Sequence, residues 1–165
     1  MTGIGFALDQ LSIYATQSTF NQLIEISLFG HPSREIATFD RLTSGQQAVP
    51  AGLGVDPRTG DILVALFSGV ARAEGLACRF VSAAMCDGRY LPLIPTDSKI
   101  VRVDPRTGES SDEITGLTAA VDVAVDSRGN VFTVEMAADY AQLFHQGVDL
   151  FSFDIQALHG GYLRY

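Results

Sequence analysis

Short runs of alternating apolar and polar residues, separated by turn residues, make up most of the chain. Near the start, Leu11, Ile13 and Ala15 are apolar, whereas Ser12 and Tyr14 lie between them. A period of two is typical of a β-strand with one buried face. With a tight turn at residues 9–10, the pattern predicts a first antiparallel unit of four strands at residues 4–8, 11–15, 23–28 and 35–39.

The same pattern returns twice, and each return contains an insertion. The second unit is predicted to have strands at residues 49–55, 62–66, 99–103 and 111–115. The third is predicted to have strands at residues 121–125 and 130–135 and a strand-like run at 150–155. The insertion at 67–97 includes a segment, 70–76, that fits a short helix, and the insertion at 136–146 has a helical pattern.

A repeated turn organises these units. Residues 55–60 read Val-Asp-Pro-Arg-Thr-Gly, residues 103–108 repeat them, and residues 125–129 read Val-Asp-Ser-Arg-Gly. In each turn the Asp side chain is expected to cap its own backbone, and Gly supplies the positive φ. Asp56, Asp104 and Asp126 could instead suggest metal loops, but each turn has a single carboxylate, which favours capping.

The spacing of these turns predicts the architecture. Asp9 and Asp56 are 47 residues apart, and Asp56 and Asp126 are 70 apart, or about 40 without the first insertion. Four-stranded units of this length are typical of β-propeller blades. We therefore predict an all-β, partial or open propeller of about three blades with short helical insertions. The single domain, 1–165, would comprise blades at 3–42, 48–116 with the insertion 67–97, and 118–165 with the insertion 136–146.

Composition narrows the possible partners. Hydrophobic residues make up 47% of the chain, which indicates a globular protein. The chain has 11 basic and 19 acidic residues, and its net charge of −8 argues against a nucleic-acid partner. Its apolar runs are too short to cross a bilayer, so we expect no transmembrane segment. No leader is visible in this sequence.

Two cysteines, Cys78 and Cys86, lie in the first insertion. Their spacing does not match a zinc motif, and no histidine is near them in sequence. We predict that they form a disulfide, which would place the protein in an extracytoplasmic, oxidising compartment. The alternative is a pair of buried thiols.

Two stretches carry a resemblance to a known family. Residues 49–56 read Val-Pro-Ala-Gly-Leu-Gly-Val-Asp and are followed by Gly-Asp-Ile-Leu-Val at 60–64, and residues 120–134 repeat this pattern. This signature resembles the blade of NHL/SMP-30-type propellers, and within them the chain is most similar to ScyD/ScyE-like propellers, with Gly-Gly-Tyr at 160–162. Such propellers usually have six blades. A three-blade chain would leave two unpaired sheet edges and an open apolar flank.

The resemblance also implies an alternative chemistry. SMP-30-like propellers include calcium-dependent lactonases, which use carboxylates at the central channel. Asp122 is the inner-strand candidate here, and Glu135 would lie near the channel mouth. Because two carboxylates do not complete a calcium site, we favour a strand-end carboxylate bonded to backbone N–H groups. The histidines show no ligand spacing, and we predict no catalytic residue and no cofactor.

An apolar group in and after the second insertion is the candidate interface. Its members are in or beside that insertion rather than in a repeat core: Leu143, Phe144, Leu150, Phe151 and Phe153. They could instead pack on their own blade. We therefore expect a non-catalytic propeller module that serves as a protein-binding or assembly subunit, with a protein partner or a second copy covering its open edges. The alternative is a fragment of a calcium-dependent lactonase or esterase.

Overall fold

A computed structural model describes residues 3–68 and 96–136, and the backbone of 162–164. These ranges contain strands and no helix. The strands are β1 (Ile4–Phe6), β2 (Ser12–Gln17), β3 (Gln22–Ser27), β4 (Arg34–Thr38), β5 (Pro50–Val55), β6 (Ile62–Leu66), β7 (Ser98–Val103), β8 (Ser110–Leu117), β9 (Ala120–Val125), β10 (Val131–Glu135) and β11 (Tyr162–Arg164).

The strands form three antiparallel sheets that follow the chain. Blade one is β1-β2-β3-β4, blade two is β5-β6-β7-β8, and blade three is β9-β10-β11. The prediction of an all-β, partial propeller is confirmed. Within the described residues blade three has three strands, and the run predicted at 150–155 lies outside them, as do the helical segments predicted in both insertions.

Blade two forms the centre of the packing because both of its faces are covered. Tyr14 and Leu23 of blade one belong to one apolar cluster with Val64 and Val101 of blade two. On the other face of blade two, Leu63 belongs to a second cluster, which includes Val123 and Val131 of blade three. All five residues of β6 are buried, which explains why this strand is a continuous apolar run.

The buried face of strand β2 differs from the one predicted for blade one. The predicted alternation is present, but the side that faces blade two carries Ser12 and Tyr14, which are both buried. Leu11, expected on the buried face, is 52% exposed. Ala15 is buried on that other side. The prediction was wrong because the apolar face of β2 lies on the outside of the three-blade stack, where the described residues include no further blade.

Glycines allow the inner strands β1, β5 and β9 to approach closely. A Cβ added to Gly3 would lie 2.5 Å from the backbone oxygen of Ala51. A Cβ on Gly52 would lie 2.7 Å from the Cα of Asp122. Real Cβ atoms do not come this close to backbone atoms, so side chains at these positions would push the blades apart.

The described residues include no helix that is long and apolar enough to cross a membrane.

Candidate functional site

The repeated turns lie at one end of the blades, and their side chains are held as the sequence predicts. The carboxylates of Asp56, Asp104 and Asp126 each accept a hydrogen bond from the backbone N–H two residues later, at 2.8–3.0 Å. The glycine that closes each turn has a φ between +76° and +88°. The prediction that these aspartates cap turns is confirmed.

Asp56 is the most enclosed of the three. Its side chain is 0% exposed and accepts hydrogen bonds from Arg58 Nη2 at 3.0 Å and from Arg102 Nη1 at 3.1 Å. The Arg58 guanidinium, followed by that of Arg102, holds the pKa of Asp56 well below its usual range. Asp56 therefore stays ionised at neutral pH, and its surroundings suit a fixed structural charge rather than a proton donor.

Arg102 connects this turn to the outer strands. Its guanidinium forms a fork with Glu113 of β8, with both N–O distances at 2.9 Å, and it contacts Asp61 at 3.2 Å. The hydrogen bonds from Arg102 lower the pKa of Glu113. Because Arg102 is on β7, the network links three parts of blade two and stabilises their arrangement.

An open cavity of about 460 Å³ lies beside this network. Its walls are formed by charged and polar side chains: Asp61, Arg102, Asp104, Glu109, Ser110 and Ser111. Arg102 and Arg106 bind two of these carboxylates, Asp61 and Asp104. The described residues contain no group of three or more His, Cys, Asp or Glu side chains placed to hold a metal ion. The cavity is therefore a charged surface cleft.

Strands β9 and β10 place the two candidate calcium ligands on different faces. Asp122 pairs with Val134 across the strands, so its side chain is on the face of Val134, whereas Glu135 is on the opposite face. Asp122 is exposed and accepts from the N–H of Val123 at 2.9 Å. Glu135 is buried and accepts from the N–H of Thr118. The two carboxylates do not fit one ion, and the calcium alternative stays a prediction.

An apolar sheet face on blade one is a feature that the sequence did not assign to particular residues. We name it the blade-one flank. Cross-strand pairing places its side chains on the same face: Ile4, Phe6, Leu11, Ile13, Ile26 and Leu28. Phe6 is 65% exposed, and Leu28 is 52% exposed. The alternation of apolar residues in β1 and β2 indicated this face, but these residues were assigned to a buried side of the sheet.

The other predicted site residues lie outside the described ranges. They are the cysteines and the candidate interface: Cys78, Cys86, Leu143, Phe144, Leu150, Phe151 and Phe153. Their disulfide and their interface role stay predictions. His31, in the turn between β3 and β4, is exposed.

No protein-family model matches the chain, and no curated protein matches its sequence. Solved structures do resemble it. A nidogen/laminin complex matches with a TM-score of 0.55 at 15% identity, over 82% of this chain and 39% of that chain. A luciferin-regenerating enzyme matches with a TM-score of 0.50 at 15% identity, over 99% and 43%.

An oligogalacturonate lyase from Vibrio parahaemolyticus matches with a TM-score of 0.52 at 12% identity, over 81% of this chain and 33% of that chain. These neighbours are β-propeller proteins, and the likeness establishes the fold of this chain as part of a β-propeller. The chain spans less than half the length of each of these structures.

Proposed function

We propose that this chain is a non-catalytic β-propeller module of the NHL/SMP-30 type, similar to ScyD/ScyE-like propellers, that serves as a protein-binding or assembly subunit. The blade-one flank would be its binding surface. The proposal keeps the extracytoplasmic location predicted from Cys78 and Cys86. The single observation that carries it is the exposure of the blade-one flank.

Comparison with blade two shows what this exposure means. Phe6, Ile13 and Ile26 pair across β1, β2 and β3 in the way that Leu53, Val64 and Val101 pair across β5, β6 and β7; the two rows are thus equivalent in the repeat. The blade-two row is buried in the cluster shared with blade one.

The outer row of the flank also has a buried equivalent in blade two. Leu11 and Leu28 face each other across β2 and β3, as Ile62 and Val103 do across β6 and β7. Ile62 and Val103 are fully buried, whereas Leu11 and Leu28 are more than half exposed. Burying apolar surface contributes about 25 cal/mol per Å². A contiguous apolar face of this kind on a folded protein marks an interaction surface.

The charged groups of blade two have a structural role within that blade. Asp56 and Glu113 are each bonded to arginine side chains and hold turns and strands together. Binding through the blade-one flank, rather than chemistry at these carboxylates, is thus the function that the geometry supports best.

The native mass of the particle that contains this chain tests the proposal. Light scattering of material from the natural source, with intact mass spectrometry of its polypeptides, should give a particle heavier than the 17.7 kDa chain. The spectrometry should find either several copies of the chain or other subunits. A monomeric, folded 17.7 kDa particle with hydrolytic activity would refute the proposal, and so would a longer polypeptide that covers the flank itself.

A further inference from the structure

Among the described residues, blade three has a partly exposed face that complements the blade-one flank. Ala124 pairs with Phe132 across β9 and β10, just as Gly54 pairs with Leu63 across β5 and β6. Leu63 is fully buried in the cluster shared with blade three. Phe132, its equivalent, is 39% exposed, and Ala124 beside it is exposed as well.

The two faces are therefore equivalent to the two sides of one repeat junction. Within the chain, the face of blade one that carries Tyr14 packs on the face of blade two that carries Val64. The face of blade two that carries Leu63 packs in turn on blade three. A next junction of this kind would join the Phe132 face of blade three to a face equivalent to that of Val64, and the blade-one flank is such a face.

We propose that the occupant of the blade-one flank is blade three of a second copy of this chain, and that two copies close a ring. This inference rests on the proposed function and names its partner. A contact between two different surfaces either closes a ring or extends into a filament. Aligned segments of the chain span 33–43% of the propeller structures it resembles, so two copies approach the length of one closed propeller.

The pairing is mostly apolar at the positions that the structure describes. Phe6, Ile13 and Ile26 present only hydrocarbon, and the facing surface of blade three offers Ala124, Phe132 and the half-buried Val134. Asp122 lies on the same face, on the inner strand β9, and its carboxylate accepts from the N–H of Val123. Burial of both faces would remove the exposed apolar surface from each copy at once.

Light scattering of the purified chain during size-exclusion chromatography tests this. Non-reducing gel electrophoresis of the same sample checks for cysteine cross-links between copies and leaves the predicted Cys78–Cys86 disulfide intact. Over about a hundredfold range of concentration, the mass should approach twice 17.7 kDa and stop there. A chain that stays monomeric throughout, or a mass that keeps growing, would overturn the ring. Should the native particle still be heavier than the chain, the proposed function would stand with a different partner.

Variants locate the contact. Phe6→Asp places a charge in the apolar junction and should raise the dissociation constant at least about a hundredfold. Phe20→Asp is the matched control, because Phe20 is also 65% exposed but lies in the turn between β2 and β3; its dimer should persist. If circular dichroism shows that the Phe6→Asp variant is unfolded, Leu28→Asp takes its place.

A variant on the opposite face separates a ring from symmetric pairing of two blade-one flanks. Ala124→Glu should also give monomers, because each ring junction uses blade three. Mixing it with Phe6→Asp should restore part of the dimer, since one junction of the mixed pair has both faces intact. If Ala124→Glu alone remains dimeric while Phe6→Asp does not, the two flanks bind each other and the ring is wrong.

Discussion

Asp56 and Asp104 occupy the same position in two turns of identical sequence, yet their surroundings differ. Asp56 is fully buried and bonded to two arginines, Arg58 and Arg102. Asp104 is partly exposed and bonded to Arg106, whose side chain is mostly in solvent. An exposed ion pair contributes little, whereas breaking an enclosed pair leaves a charge without its partner.

We therefore expect Asp56→Ala to lower the free energy of unfolding by about 3 kcal/mol, because it leaves Arg102 short of one carboxylate. The matched change Asp104→Ala should cost a small fraction of that, although it removes the same cap. Urea unfolding followed by circular dichroism measures both. Equal losses in the two variants would show that capping, rather than the enclosed charge network, determines the stability of these turns.

The turns could be predicted from residues that are close in sequence. The hydrogen-bond network of Arg102 could not, because its members are far apart along the chain. The Asp-to-Gly spacing is enough to predict the caps, because every partner is within four residues. Arg102 is 46 residues from Asp56, and only the pairing of β6 with β7 brings them together. Arg102 was assigned to an ordinary strand, since a single arginine in a strand gives no sign of its partner.

At the scale of elements, the inner strands depend on residues without side chains. Gly52 does not have a left-handed φ, so backbone strain does not explain its presence. Its effect is steric, because an added Cβ would lie 2.7 Å from the Cα of Asp122 on β9. The close contact between β5 and β9 thus has no space for even a methyl group.

Gly52→Ala should accordingly destabilise the protein by about 2 kcal/mol through overpacking between blades two and three. Gly45→Ala is the control: Gly45 has a φ of +85° but no atom within 4 Å of its added Cβ, so that variant reports backbone strain alone. Thermal unfolding compares the two. A Gly52→Ala protein as stable as the wild type would mean that the blades separate easily.

Strand positions were predictable to within a few residues because each strand repeats the same alternation between turns. The buried face of β2 could not be predicted, since alternation shows only that the two faces of a strand differ. Which apolar face meets another blade depends on the order of the blades, and blade one has its only described neighbour on the Tyr14 side. The exposed Leu11 follows from that order.

At the scale of the whole molecule, this same order determines the candidate site. A stack of three blades has two end faces, and the repeat makes those faces complementary. The sequence predicted an open apolar flank from the number of blades, but its residues could be named only when the pairing of β1, β2 and β3 was known. The interface predicted around Phe151 lies outside the described residues and stays a prediction.

The net charge of the chain predicts how salt changes the dissociation constant of the proposed ring of two copies. Each copy carries a net charge of −8, so two copies repel each other, while the proposed junction is apolar apart from Asp122. Raising sodium chloride from about 0.05 to about 0.5 M shortens the screening length from more than 10 Å to less than 5 Å. We expect the dissociation constant of the dimer to fall about three- to tenfold, as measured by sedimentation equilibrium.

The Phe20→Asp variant is the control for this measurement, because it adds one negative charge to each copy without touching the blade-one flank. It should bind more weakly than the wild type at low salt and match it at high salt, where screening removes long-range repulsion. Dimers that weaken as salt rises would instead be held by ion pairs. The apolar faces of blades one and three would then not be the surfaces in contact.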